Sequence, residues 1–251
     1  MPEILVGTSV AGGFSRIGYQ VFDNQGNKLD SVSIPRSGSS GGAQTRVEVV
    51  DLDLDGDPEI VVGSAAWSHD GQLQWQRANL HDVNGSHYPT IANLDDDPYP
   101  ELVRRSAGGQ FVALNHDGSD LWSTTFPFGG ADFGILTIAD VDNDGKAEVI
   151  VPGDTGSTIV RVLNGADGTI KWTQTVPGIE GNWGATVFDM DNDGFNEVIF
   201  LNTGRIVHVW DGRDGSVKLT YQTGETGRAI QTSLPIFADV DNDGHAEMVT
   251  I

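Results

Sequence analysis

Cysteine is absent from the 251 residues, which removes disulfides, thiolate nucleophiles and cysteine-ligated zinc from consideration. Basic residues are scarce: 14 Lys+Arg stand against 36 Asp+Glu, a formal net charge of −22. That balance repels phosphate backbones and anionic lipid, so no nucleic-acid partner is expected unless a bound cation intervenes. Long apolar runs are missing too. The longest cover a few residues, as in Glu148-Val-Ile-Val, against the roughly 20 needed to cross a bilayer as a helix, so no membrane insertion is expected. Met1-Pro-Glu-Ile-Leu-Val-Gly7 has neither the basic nor the apolar stretch of a signal peptide, so this end says nothing about native export. No window combines a helical period with caps, and no nucleophile elbow, phosphate loop or His-Glu-x-x-His motif occurs. At 38% hydrophobic the chain still holds enough apolar side chains for a core, unlike a disordered acidic tail.

What the sequence does contain is a repeat. Five acidic segments align: Asp51-Leu-Asp-Leu-Asp-Gly-Asp-Pro-Glu59, Asn93-Leu-Asp-Asp-Asp-Pro-Tyr-Pro-Glu101, Asp140-Val-Asp-Asn-Asp-Gly-Lys-Ala-Glu148, Asp189-Met-Asp-Asn-Asp-Gly-Phe-Asn-Glu197 and Asp239-Val-Asp-Asn-Asp-Gly-His-Ala-Glu247. Their starts are 42 to 50 residues apart, which is the spacing of propeller blades. A second marker recurs between them, Asp70-Gly71, Asp117-Gly118, Asp167-Gly168 and Asp214-Gly215, with a looser copy at Asn24 to Leu29. Asp-Gly between apolar alternations marks a tight hairpin, because glycine takes the positive φ. Each acidic segment also runs into a β-branched stretch such as Glu59-Ile-Val-Val or Glu197-Val-Ile-Phe-Leu, which has the length and composition of a strand. One repeat therefore reads as strand 1 (185–188), acidic loop, strand 2 (197–201), strand 3 (206–210), hairpin and strand 4 (216–220). The expected fold is an all-β propeller of about five four-stranded blades, a single repeat domain over 1–251 or a segment of a longer array, with an acidic loop between strands 1 and 2 of each blade.

The acidic loops place oxygen donors at positions 1, 3, 5 and 9, with glycine at position 6 in four of five copies. Alternate side chains on a tightly curled loop converge, and the carbonyl of position 7 adds a ligand. Hard oxygens at this density select calcium. The candidate ligand sets are Asp51, Asp53, Asp55, Asp57 and Glu59; Asn93, Asp95, Asp97 and Glu101; Asp140, Asp142, Asp144, Lys146 and Glu148; Asp189, Asp191, Asp193, Phe195 and Glu197; and Asp239, Asp241, Asp243, His245 and Glu247. Asp57, Lys146, Phe195 and His245 contribute through the carbonyl. Up to five calcium ions are expected, with the second loop weakest because Asn93 and Pro98 break its pattern. An EF-hand is excluded by spacing, since position 12 falls on Val62, Val151, Phe200 and Thr250 in the following strands. Asp-rich turns also cap strands at solvated rims without any ion. Here, however, nineteen carboxylates at equivalent positions repel one another unless a cation neutralises them.

The Asp-x-Asp-x-Asp-Gly-x-x-Glu loop followed by Ile-Val-Val-Gly resembles the FG-GAP/VCBS repeats of bacterial surface proteins and of the integrin α-subunit propeller. Phe133-Gly134 and Trp183-Gly184 are similar to the "FG" element, and Gly63-Ser64-Ala65 to a degenerate "GAP". The resemblance implies a calcium-binding propeller, located outside the cell or on its surface, that takes a glycan or a surface protein as ligand. Such repeats also occur in propellers of polysaccharide lyases and in architectural assemblies, so both remain alternatives, and whether the protein is an enzyme stays open.

Beyond the loops, the links between blades (residues 86–89, 126–133, 180–183 and 225–228) are the variable parts. Trp75, Trp122 and Trp172 share one repeat position and are expected to pack between blades rather than stack on a ligand. The ends pose a counting problem, because Glu3 to Gly7 and Glu247 to Ile251 both match strand 2. If Leu234 to Ala238 pairs with Glu3 to Gly7, the last strand has no partner, and self-association through terminal strands becomes an expectation.

Overall fold

A computed structural model of the chain describes residues 4–9, 16–35, 46–77, 80, 89–106, 109–126, 135–152, 159–176, 184–202, 204, 206–223, 236–238, 240 and 247–249. The described residues form twenty-one strands and no α-helix, and every strand pairs antiparallel with its neighbour in sequence. The chain divides into two compact units.

The first unit comprises Met1–Asn93 and Asp97–Pro127. It contains a three-stranded sheet of β1 (Ile4–Ser9), β2 (Arg16–Phe22) and β3 (Lys28–Pro35), and two four-stranded sheets. These are β4 (Val47–Val50), β5 (Glu59–Val62), β6 (Ala65–Trp67) and β7 (Leu73–Gln76), then β8 (Thr90–Ala92), β9 (Glu101–Ser106), β10 (Gln110–Leu114) and β11 (Asp120–Thr125). The second unit, Leu94–Asp96 and Phe128–Ile251, contains β12 (Thr137–Ala139), β13 (Glu148–Val151), β14 (Ile159–Asn164) and β15 (Ile170–Thr175). A further four-stranded sheet follows, β16 (Thr186–Phe188), β17 (Glu197–Leu201), β18 (Ile206–Asp211) and β19 (Val217–Gln222), then a hairpin of β20 (Ile236–Ala238) and β21 (Glu247–Val249).

In three of the four-stranded sheets the second strand (β5, β13, β17) is an apolar run after its glutamate because both of its faces are covered, whereas β9 carries the buried Arg104 and Arg105. Val61 joins Leu52, Ala66, Leu102 and Val112 on one side, while Ile60 and Val62 join Tyr19 and Trp67 on the other. In the second unit Val198 and Phe200 pack with Ile150, Val162, Trp172 and Trp210, and Ile199 packs with Val207, Val209 and Phe237. Stacked sheets that share their faces in this way suit the blades of a propeller. The expected boundaries hold closely in the worked repeat, where strands of 3, 5, 6 and 6 residues replace the anticipated elements with shifts of two residues at most.

Acidic loops connect the first two strands of every four-stranded sheet, and the Asp-Gly hairpins connect the last two, so loop and hairpin lie at one end of their sheet. All four hairpins carry a register shift on the preceding strand, at Ala66/Trp67, Ala113/Leu114, Val162/Leu163 and Val209/Trp210. One expectation is corrected. β20 pairs with β21, with Ile236 opposite Val249. The last strand therefore has its partner within its own hairpin, and the count that left it unpaired assumed the wrong neighbour for β20.

Candidate metal centres

Three fully described acidic loops, the first in the first unit and the third and fourth in the second, share one construction. The residue at position 4 takes a left-handed backbone, Leu54 at φ 60°, Asn143 at 58° and Asn192 at 57°, and Gly56, Gly145 and Gly194 at position 6 do the same. Two such residues curl the loop tightly enough for its side chains to hold its own backbone. Position 1 accepts from the position-6 N–H, Gly56 N to Asp51 Oδ2 at 3.0 Å, Gly145 N to Asp140 Oδ2 at 2.9 Å and Gly194 N to Asp189 Oδ2 at 3.0 Å. Position 5 accepts from position 7, through Asp55, Asp144 and Asp193 at 2.8 to 2.9 Å. The glutamate at position 9 accepts from position 2 with Oε2, from Leu52 N at 2.8 Å, Val141 N at 3.0 Å and Met190 N at 2.6 Å.

The carboxylates of positions 1, 3 and 9 also crowd together. Oxygens of Asp51, Asp53 and Glu59 lie within 4.8 Å of one another, as do those of Asp140, Asp142 and Glu148, and those of Asp189, Asp191 and Glu197. The glutamates are buried, while the position-3 aspartates of the first and fourth loops face solvent. Burial raises the Glu59 carboxyl above its usual range, the Leu52 N–H opposes this, and Asp53, Asp55 and Asp51 push it further up. Glu148 is likewise raised by burial, against the pull of the Val141 N–H and Lys171. Asp51 Oδ1 and Asp142 Oδ1 are buried without a hydrogen-bond donor. Acceptor-only groups left this way in a crowded all-oxygen cluster fit a hard cation.

The unit boundary runs through the second loop, with Asn93 and Asp97 to Glu101 in the first unit and Leu94–Asp96 in the second. Pro98 has no N–H to give position 1. Instead Asn93 Nδ2 donates to Asp97 O at 2.6 Å, and Asp97 Oδ1 takes the Tyr99 N–H at 2.7 Å. Of the fifth loop, Asp239, Asp241, Asp243 and His245 lie outside the described residues, but Val240 N donates to Glu247 Oε2 at 2.9 Å, repeating the position 2 to 9 bond.

Two lysines enter the loops. Lys171 Nζ bonds Asp142 Oδ2 and sits 3.0 Å from Glu148 Oε1. Lys218 Nζ lies 2.9 Å from Asp191 Oδ2, 3.4 Å from Asp193 Oδ2 and 2.6 Å from Glu197 Oε1. Burial works against the charge on each amine, but the carboxylate hydrogen bonds outweigh it and both are raised above the usual lysine range. Sequence reasoning missed these residues. Their signal is a fixed place four residues after the hairpin aspartate, occupied by Gln74, Leu121, Lys171 and Lys218.

Two of the three repeat-position tryptophans, Trp75 and Trp172, pack between sheets as expected. Trp75 Nε1 donates to His116 O at 2.8 Å and Trp172 Nε1 to Gly212 O at 2.7 Å, each on the next sheet of its own unit. Of the variable links, residues 86–88, 127–133, 180–183 and 225–228 lie outside the described residues.

Against known families, the model for the FG-GAP-like repeat matches residues 140–200 and 189–250. Residues 140–250 carry FG-GAP-like repeats. The third and fourth loops fall inside those matches, and the first shares their hydrogen bonds. No curated protein sequence matches the chain. Among solved structures, the V. cholerae biofilm matrix protein Bap1 is similar over 93% of this chain and 70% of its own, at 13% identity and a TM-score of 0.59. Rhamnogalacturonan lyase YesW is similar over 98% of this chain but only 40% of its own, at 21% identity and 0.60. Saccharomyces cerevisiae Sqt1 aligns over 98% of this chain and 65% of its own, at 11% identity and 0.67. At these identities the likeness concerns the fold alone.

Proposed function

We propose that the acidic loops bind calcium, up to five ions in all, and that the chain is a calcium-stabilised recognition module. It acts outside the cell or at its surface on a glycan or another surface protein. The supporting observation is the crowding of position 1, 3 and 9 oxygens within 4.8 Å in three loops, with Asp51 Oδ1 and Asp142 Oδ1 buried and undonated. Asp55, Asp144 and Asp193 complete the side-chain ligands, and the carbonyls of Asp57, Lys146 and Phe195 supply one more in this reading. The second loop supplies Asp95, Asp97 and Glu101 with Asn93 in place of a carboxylate, which makes it the weakest. The ion's role is structural: it neutralises a cluster that otherwise repels itself.

The repeat type and the fold shared with a biofilm matrix protein and a polysaccharide lyase support a surface or carbohydrate-related setting. Ligand recognition falls to the links between blades. Elemental analysis and calcium calorimetry on the full chain test the metal, and excess EDTA is expected to lower the melting temperature by several degrees. An unchanged melt with no bound metal overturns the calcium reading. A glycan array paired with an ultraviolet lyase assay tests the rest: glycan binding without unsaturated product supports recognition, and unsaturated product makes the chain an enzyme's propeller.

A further inference from the structure

The first, third and fourth loops share backbone and carboxylates but differ in what the neighbouring strand puts into them. In the third and fourth, an ammonium group stands among the carboxylates, at 3.0 Å from Glu148 Oε1 and 2.6 Å from Glu197 Oε1. Both amines hang on stems from the strand after the hairpin and keep some solvent contact, with side chains 15% and 24% exposed. In the first loop the same place carries Gln74, which has no charge to offer. There a cleft of about 290 Å³ opens between Asp53, Glu59, Gln74 and Trp75.

We propose that Lys171 and Lys218 are tethered counter-ions that compete with the metal for the third and fourth loops, whereas the first loop binds without competition. The inference rests on the calcium reading above. A lysine is a compact monovalent cation on a flexible stem. It satisfies two or three oxygens at hydrogen-bond distance, while calcium gathers six to eight at about 2.3–2.6 Å. One centre cannot hold both, so the ion must first displace the amine and break its charge-assisted bonds. The apparent affinity of those loops is then lowered by the fraction of time the amine is out. These three loops thus fall into two classes: one filled at low calcium, and two that keep their own cation until calcium rises.

Calcium calorimetry on the full chain with K171Q, K218Q and Q74K tests this, with D51N to identify the first loop. Each Lys→Gln change is expected to raise the affinity of one site by about tenfold or more, and Q74K to weaken the first loop by a similar factor. In EDTA the Lys→Gln variants are expected to melt below the parent, and in millimolar calcium to match or exceed it. If K171Q does not fold, K171M keeps the buried stem and gives the same readout. Unchanged or weaker affinity in the lysine variants, with a first-loop site still lost in D51N, overturns this inference alone. An equal melting loss with and without calcium also overturns it, because it makes the lysines plain structural partners. No calcium bound by any variant overturns the calcium reading and this inference with it.

Discussion

Leu54 holds a left-handed backbone, φ 60°, at the position where the equivalent loops have Asn143 and Asn192, and its side chain is 51% exposed. A leucine there has strain without burial to offset it, whereas asparagine visits this region readily. Leu54→Asn is therefore expected to stabilise the chain by about 0.5–1 kcal/mol, read as a higher urea midpoint at unchanged slope. A lower midpoint would show that Leu54 contributes contacts that outweigh the strain. Asp211 illustrates the opposite balance. Its Oδ1 accepts from Arg213 N at 3.0 Å and Nε at 2.9 Å, and its Oδ2 from Nη2 at 2.5 Å. These Arg213 hydrogen bonds hold its carboxyl down at about 2 despite burial, with the Lys218 charge adding to the effect. A carboxyl lowered on folding stabilises the native state above its unfolded value and loses that contribution as pH falls through its folded value. Asp211→Asn should thus cost about 1–2 kcal/mol at pH 7, with the gap to the parent narrowing below about pH 4 and closing near pH 2. A gap independent of pH would assign the loss to packing instead.

Sheets are joined within each unit by one contact used twice. The tryptophan of one last strand lies on the hairpin glycine of the next sheet, so a Cβ on Gly118 would meet the Trp75 ring at 2.7 Å, and one on Gly215 the Trp172 ring at 2.7 Å. Both glycines also have positive φ, 80° and 73°. Gly26 has the same backbone at φ 85° with nothing within 4 Å of its Cβ position. Gly215→Ala is expected to cost about 3 kcal/mol or more, from overpacking added to strain, against about 1 kcal/mol for Gly26→Ala. Equal losses in chemical denaturation would mean that the tryptophan simply moves aside.

Much of this arrangement was legible in the residues. The Asp-Gly pairs, the β-branched runs after each acidic loop and the shared place of Trp75 and Trp172 each reflect a local requirement: a turn, a doubly covered strand, a flat ring over a glycine. The acidic loops were legible for the same reason, since position 6 needs glycine and position 9 needs a side chain long enough to reach position 2. What stayed hidden crosses from one strand to another. Lys171 reaches Glu148 from 23 residues away, and nothing in the loop's own pattern distinguishes it from the loop beside Gln74. The terminal hairpin was misjudged similarly, because counting strands does not say whether β20 takes β21 or another strand as its neighbour.

Charge sets the behaviour of the chain as a body, and the same −22 can be relieved in two physically different ways. Diffuse salt screens all 36 acidic residues within a Debye length of about 10 Å at 0.1 M, whereas a site-bound ion acts on one cluster. In the second unit an ion bound in one loop would also act on the neighbouring loop. The third and fourth loops are tied by Asn143 Nδ2 to Gly194 O at 2.9 Å and Asn196 Nδ2 to Asp140 O at 2.7 Å, so ordering one loop braces the other. In EDTA, raising sodium chloride from about 0.01 M to about 0.5 M should lift the melting temperature by a few degrees as self-repulsion is screened. A few millimolar calcium should lift it further than sodium chloride of the same ionic strength, and most of the salt response should then disappear, because the closest carboxylate pairs are already neutralised. Differential scanning calorimetry across both series checks this. If sodium chloride of equal ionic strength reproduces the whole calcium effect, the loops are acidic turns that respond to screening alone, and the crowding of Asp51, Asp53 and Glu59 has no ion behind it.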